Sequence, residues 1–280
     1  MRRGPHTDMP LSFVLHSAGV LAPGVSSMAE LLNLYRTGQP GVVEATALPS
    51  PAVLPANERR RATQAVRLVL ACVEQALRDC AYAPDQLRCV FASDEGTGEV
   101  CQLMLEALAT TGQVSPLMFH NSVHNAPSGY FSIAYQNHLP AVSVSLGCES
   151  HASGLLCAVS EACTSGAPVL FVAYDAPLLE PMRSLLPIEQ SSATAWLVTS
   201  GAGVSSPDKA PLGSFELSLR QAGASRDEVA PAWLPDRWAA NSSARLFAVL
   251  ALLADGRGCC EFALGAQRVR VRLVEGTAAC

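Results

Sequence analysis

Charge is scarce in this chain: Asp, Glu, Lys and Arg make up 15% of its 280 residues, and they balance to a net −5. A thin, slightly acidic balance gives no general attraction to nucleic acid or anionic lipid, so neither is expected as a partner. Long apolar runs are also missing, because none approaches the ~18 residues a spanning helix needs. Arg2 and Arg3 precede an apolar stretch, but His16 and Ser17 break it and no small-x-small cleavage site follows. A signal peptide and a membrane span are therefore not expected, and a cytoplasmic protein is. The ten cysteines include no CxxC and no Cys/His cluster of zinc spacing, so neither a metal nor a resident cofactor is expected. Cys72, Cys80, Cys89, Cys101, Cys157 and Cys163 fall inside helical or strand patterns and read as core thiols of a reducing compartment. The phosphate-binding patterns GxGxxG and GxxxxGK[ST] are absent too. Gly96-Thr97-Gly98 lies between a strand and a helix, where it would serve either as a phosphate cradle or as a plain tight turn.

What the chain has is apolar material. Hydrophobic residues make up 49%, with a mean hydropathy of +0.24, enough to bury a core in one large domain or two smaller ones. Residues 11–16 alternate as a strand, followed by an amphipathic helix over Met28–Thr37 that Gly38 stops. After a loop with Pro40, Pro49, Pro51 and Pro55, residues 57–80 carry apolar positions near the 3.6 period. They predict the longest helix, with Asn57 as its N-cap. Its opening Glu58-Arg59-Arg60-Arg61 puts positive charge at a helix start, against the macrodipole; a solvated face is the plain reading and an acidic partner the sharper one. Strands are expected at 88–92, 141–146, 168–174, 193–199, 259–264 and 268–274, with helices over 100–109 and 245–253. The Pro-rich, polar stretch 201–238 reads as a hinge or loose excursion. Alternating strands and helices predict an α/β layered core.

The chemistry concentrates at residues 141–151. Val142, Val144 and Leu146 alternate with Ser143 and Ser145, Gly147 supplies a turn, and Cys148 follows at the start of a small-residue helix. Unpaired N–H groups and the helix dipole favour a thiolate at such a junction. His151, three positions on, would share a helix face with Cys148 and form a Cys/His pair. The plainer readings are a packed thiol and a histidine satisfied in a first turn, and Glu149 places a carboxylate beside the thiol.

With those residues placed, the chain resembles the β-ketoacyl synthases of the thiolase superfamily, and among them the short synthase-like subunits known as chain length factors. VLHSAGVLAPGV resembles the family's opening strand and turn, and AELLNLYRTGQPGV the helix and Gly turn after it. NERRRATQAVRLVLACVEQALRDC is similar to the Arg-led helix before the second strand, and NAPSGYFSIAYQNHLPAVSVSLGC to the segment leading into the nucleophile strand. The resemblance covers residues 11–200 well and thins beyond. It implies a thiolase-like αβαβα fold, with a synthase-like N-terminal domain over 11–200 and a shortened C-terminal portion over 201–280. It also puts Cys148 on the nucleophile position.

The departures bear on function. Where the family usually shows Thr-Ala-Cys and then small residues, this chain has Leu146-Gly147-Cys148-Glu149-Ser150. The two histidines that family synthases carry in their second half have no counterpart, since the six here (His6, His16, His120, His124, His138 and His151) all precede residue 152. Decarboxylative condensation develops a carbanion and an oxyanion that need positioned donors. The resemblance therefore implies a non-condensing partner of a catalytic ketosynthase, joined to it as a heterodimer. Its setting would be acyl-carrier-protein-dependent synthesis of a polyketide, a polyene pigment or a fatty-acid-like chain. Met118, Phe119, Tyr130, Phe131 and Tyr135 would face the acyl tunnel or belong to ordinary core, and Val142, Val144 and Leu146 would meet the partner. Two other readings stand beside this one: a self-contained Cys148 acyltransferase or thioesterase with His151 or His124 as base, and a small-molecule binding module using Gly96–Gly98.

Overall fold

The computed structural model describes residues 10–38, 46, 48–78, 80–201, 210–222, 231–238 and 240–276. The N-terminal arginines, Pro40 and much of the stretch after residue 201 lie outside them. Eight strands run β1 Leu11–Leu21, β2 Arg88–Ala92, β3 Ala141–Val144, β4 Val169–Asp175, β5 Ser192–Ser200, β6 Gly213–Gln221, β7 Cys259–Leu264 and β8 Gln267–Gly276. The helices are α1 Met28–Thr37, α2 Ala56–Arg61, α3 Gln64–Arg78, α4 Gly98–Thr111, α5 Pro116–Asn121, α6 Ala126–Tyr135, α7 Ser150–Ser165, α8 Met182–Leu185, α9 Ser242–Arg245 and α10 Phe247–Asp255. All eight strands join one mixed sheet in the order β3-β2-β4-β5-β1-β6-β8-β7. β2 pairs in parallel with β3 and β4, and the remaining ladders are antiparallel.

Both faces of the sheet are covered, which explains why β4 is buried at every position instead of alternating. On one face α3 and α6 pack Val66, Val69, Phe131 and Tyr130 against Phe91, Leu170 and Leu197. On the other, α1, α7 and α10 pack Leu31, Leu155, Val159 and Phe247 against Phe13, Phe171 and Trp196. Phe171 and Trp196 meet edge to face at 5.6 Å, and burying each contributes about 1.5–3 kcal/mol. α7 lies so close to β2 that a Cβ on Gly154 would come within 2.5 Å of the Ala92 side chain. Arg88 at the start of β2 pairs with Glu161 of α7, tying the same two elements together. Among the described residues, no helix is long and apolar enough to cross a membrane.

Several sequence expectations need correction. The expected single helix over 57–80 is two, because Ala62 turns extended (φ −60°, ψ 121°) and the Thr63 hydroxyl accepts from the Val66 N–H at 3.3 Å, capping α3 afresh. Asn57 does not cap; it sits inside α2, and its side chain accepts from Arg60 at 2.5 Å. Among the described residues the longest helix is instead α7, with 16 residues. The first strand runs on to Leu21 through an irregularity between Leu15 and Ser17, and β3 stops at Val144, two residues early. Most consequentially, the stretch read as a loose excursion contains β6, an interior strand paired to both β1 and β8.

Candidate functional site

The carboxyl ends of β2, β3 and β4 meet the start of α7, the place where open α/β sheets build sites. Chain direction there is set by Gly147, whose φ of +56° lets β3 turn sharply into α7. Ser150 fastens the turn: its hydroxyl donates to the Gly147 carbonyl at 2.6 Å and accepts from the Leu146 N–H at 2.8 Å. Cys148 stands exposed on this elbow, and Leu146 forms an isolated bridge with it. Glu149 is anchored to the far hairpin, since both its carboxylate oxygens accept from the Gly265 N–H at 3.0 Å.

Burial separates the two residues expected to pair. Cys148 faces solvent, whereas His151 is 1% exposed and meets Phe262 of β7 edge-on, with ring centroids 5.2 Å apart. His124, the other proposed base, packs over the Gly96-Thr97-Gly98 turn, where a Cβ on Gly96 would collide with its ring. That turn is also internally committed: the Gly96 N–H donates to the Ser93 hydroxyl at 2.8 Å, and the Thr97 hydroxyl donates to the Ser122 carbonyl at 2.9 Å. These contacts favour the tight turn over the phosphate cradle.

The aromatic candidates divide. Phe119 is 65% exposed and lines a groove with His120, Val123, Tyr130 and Ile133. Tyr130 reaches the groove from the core, its hydroxyl held by the Asn121 side-chain oxygen at 3.1 Å. Phe131 is core, between Phe91 at 6.0 Å and Tyr135 at 5.0 Å. Val142 and Leu146 are exposed, 44% and 57%, and Val144 is half-buried against the core beneath α7. Edge strand β3, α6 packed beside it and α5 across the groove thus carry the exposed apolar side chains Val142, Ile133 and Phe119.

Sequence reasoning missed a polar cluster behind the elbow. Asp94 follows β2 and Asp175 ends β4, and both are buried. The Asp94 N–H donates to Asp175 Oδ1 at 3.2 Å, the Ser242 hydroxyl to Asp94 Oδ1 at 2.5 Å, and the Ser243 N–H to Asp175 Oδ2 at 2.9 Å. Burial, reinforced by the neighbouring Asp175 charge, pushes the Asp94 carboxyl up to about 8. Burial likewise raises Asp175, against the hydrogen bonds from Ser243 and Asp94 and the nearby His151. The available signal was position: each Asp closes a parallel strand at its carboxyl end. Among the described residues, no cluster of His, Cys, Asp and Glu is arranged to hold a metal ion.

Residues 35–235 match the family described as beta-ketoacyl synthase, N-terminal domain. The chain belongs to that family. A chain of the ketosynthase ApeO in complex with its chain length factor ApeC from Xenorhabdus doucetiae is similar, with a TM-score of 0.70 and 22% identity over 94% of this chain and 99% of that one. A β-ketoacyl synthase from Burkholderia phymatum STM815 reaches a TM-score of 0.70 at 8% identity, covering 96% of this chain and 100% of its own. The ishigamide ketosynthase/chain length factor gives a TM-score of 0.70 at 15% identity, covering 95% of this chain and 100% of that one. No curated protein matches the chain in sequence. The ketosynthase family and its thiolase-like fold are thereby settled.

Proposed function

We propose that this ketosynthase-family chain is a non-condensing partner, of chain-length-factor type, that binds a catalytic ketosynthase along β3 as a heterodimer. Residues 11–200 form the synthase-like unit in this reading, and 201–280 the short addition. The carrying observation is the uncovered apolar edge: β3 ends the sheet with Val142 exposed, and Phe119, Ile133 and Leu146 extend the same side. An open apolar edge strand is a template for another chain. The groove along α5 and α6 would form one wall of an acyl tunnel shared with the partner. The absence of histidine beyond His151 supports assigning condensation to that partner. Two of the solved neighbours contain a chain length factor by name, which agrees with the reading. An acyl carrier protein would deliver the growing polyketide or fatty-acid-like chain, in the cytoplasm.

Cys148 motivates the second reading, an acyltransfer or thioesterase activity, because its exposed elbow position suits a nucleophile. Buried His151 and packed His124 are poorly disposed to serve it as a base. Size-exclusion chromatography with light scattering, on the chain alone and co-expressed with a ketosynthase encoded nearby, tests the first reading. A one-to-one complex is expected; a stable monomer that ignores the ketosynthase overturns it. Running Cys148→Ala in the same complex separates the readings, because product formation should survive if the thiol is not catalytic.

A further inference from the structure

The sheet has two unlike faces at its β6, β8 and β7 end. On one, Leu217, Val269 and Val271 join Phe247 and Leu250 of α10 in the core. On the other, alternate residues stand outward, and the register sets Glu216 opposite Arg272, Ser218 opposite Arg270 and Arg220 opposite Arg268. Ser218 is short where its neighbours are long, so the surface dips there. The hollow of about 250 Å³ is lined by Pro10, Glu216, Ser218, Arg220, Arg270 and Arg272. Three arginines thus share it with one glutamate, in a chain whose net charge is −5. The arrangement costs stability, because like charges set directly opposite on neighbouring strands repel, and Arg220 and Arg268 are so placed. Carboxylates answer part of the row. Arg272 donates to Glu216 at 2.6 Å, and Arg270 approaches Glu261 of β7 at 3.8 Å while donating to the Cys259 sulfur at 3.2 Å. Arg220 is exposed and has no such partner among the described residues.

We propose that this face is a docking surface for an acidic segment of a second protein, whose carboxylates complete the arginine row at Arg220 and Arg270. It stands apart from the ketosynthase reading, since β3 lies at the other end of the sheet. Pockets that enclose a small molecule measure ~300–1,000 Å³. The smaller hollow at Ser218 takes a single anionic group, carried by a larger body. Spacing selects the kind of body. Arg268, Arg270 and Arg272 recur at every second residue of β8, a repeat of about 6.8 Å, which is also the repeat of side chains along one face of an extended peptide. Guanidinium and carboxylate then pair plane to plane through two bonds. A spaced row of carboxylates can register with the arginines and pass Glu216. The phosphates of a nucleic-acid duplex, about one charge per 1.7 Å, cannot avoid it. The hollow offers no aromatic or leucine side chain to enter a lipid surface.

Fluorescence anisotropy of a labelled peptide of alternating glutamate and serine, titrated with the full chain at low salt, reads this surface directly. The peptide should bind, and its lysine-serine counterpart should not. Arg220→Glu should weaken binding by at least about tenfold. Its thermal midpoint should match the wild type, because Arg220 has no partner to lose. Glu216→Gln should tighten binding several-fold by removing the carboxylate that competes for Arg272. Arg60→Glu, in the separate basic cluster of α2, is the control and should leave binding as it is. No binding with roughly 1 mM chain overturns the proposal. So does an equal loss from Arg220→Glu and Arg60→Glu, the mark of general charge attraction. A DNA duplex or phosphatidylserine vesicles held through Arg220 more tightly than the peptide would overturn the assignment to an acidic protein. Should Arg220→Glu not fold, Arg220→Gln should still weaken binding several-fold, and unchanged binding to that variant overturns the docking surface.

Discussion

The two ends of the sheet are both open, yet they are defended differently. At the β7 and β8 end, outward positions carry Arg268, Arg270 and Arg272 while Val269, Val271 and Leu273 face the core. Arg272 meets Glu216 at 2.6 Å, and Arg270 approaches Glu261 at 3.8 Å. These arginines lie on β8, one strand in from the β7 edge, which itself carries Glu261, and charge beside a sheet edge discourages pairing with another chain. At the opposite end β3 reads Ala-Val-Ser-Val, with no charge and with exposed leucines, a valine, an isoleucine and Phe119 beside it. A chain with only 15% charged residues has spent several of them on one end and none on the β3 strand. That asymmetry agrees with the proposal that a partner covers β3.

The largest expected effect tests whether exposure has been assigned correctly within the aromatic group. Phe131→Ala should cost about 3–5 kcal/mol in urea unfolding, since it empties a site between Phe91 and Tyr135. Phe119→Ala should stay within about 0.5 kcal/mol, because its ring stands in solvent. Equal losses would move Phe119 into the core and remove it from the proposed tunnel wall.

Next comes the edge itself. Val142→Lys should weaken association with the ketosynthase by at least about 2 kcal/mol, roughly 30-fold, by burying an unpaired charge. Val274→Lys, at a similarly exposed valine on β8, should leave binding unchanged. Titration of both variants against the purified partner checks this, and equal loss from the two would erase the distinction between the ends.

Much of the fold was legible because its signals are local. β2 was read to the residue, as was α1 between Met28 and its Gly38 stop, where Gly38 takes φ +62° and its N–H returns to the Leu34 carbonyl. Strand β6 was lost although Phe215 and Leu217 alternate with Ser214 and Glu216, because proline and serine flanks outweighed a nine-residue pattern. The break between α2 and α3 turned on a single hydroxyl, that of Thr63, which a periodicity count does not weigh. At the site, the elbow was legible from Gly147 and the helix after it. The acid pair was not, since Asp94 and Asp175 are 81 residues apart and only the parallel pairing of β2 with β4 brings them together. His151 carried the opposite error: sequence spacing put it on the Cys148 face, but burial against Phe262 required the β7 strand to be in place.

The smallest expected effect lies at the charged end. Glu216 and Arg272 sit directly opposite each other on β6 and β8, and their side chains are 28% and 54% exposed. A pair so open to water contributes about 0.2–1 kcal/mol, and salt screens most of that at roughly 1 M. Glu216→Gln should therefore lower stability slightly in dilute buffer and hardly at all in concentrated sodium chloride. Partner binding along β3, being apolar, should persist at the same salt concentration. Unfolding and binding curves recorded at low and high salt compare the two ends in one experiment. A loss above about 2 kcal/mol from Glu216→Gln, or binding along β3 that dissolves in salt, would reverse which end is held by charge and which by apolar contact.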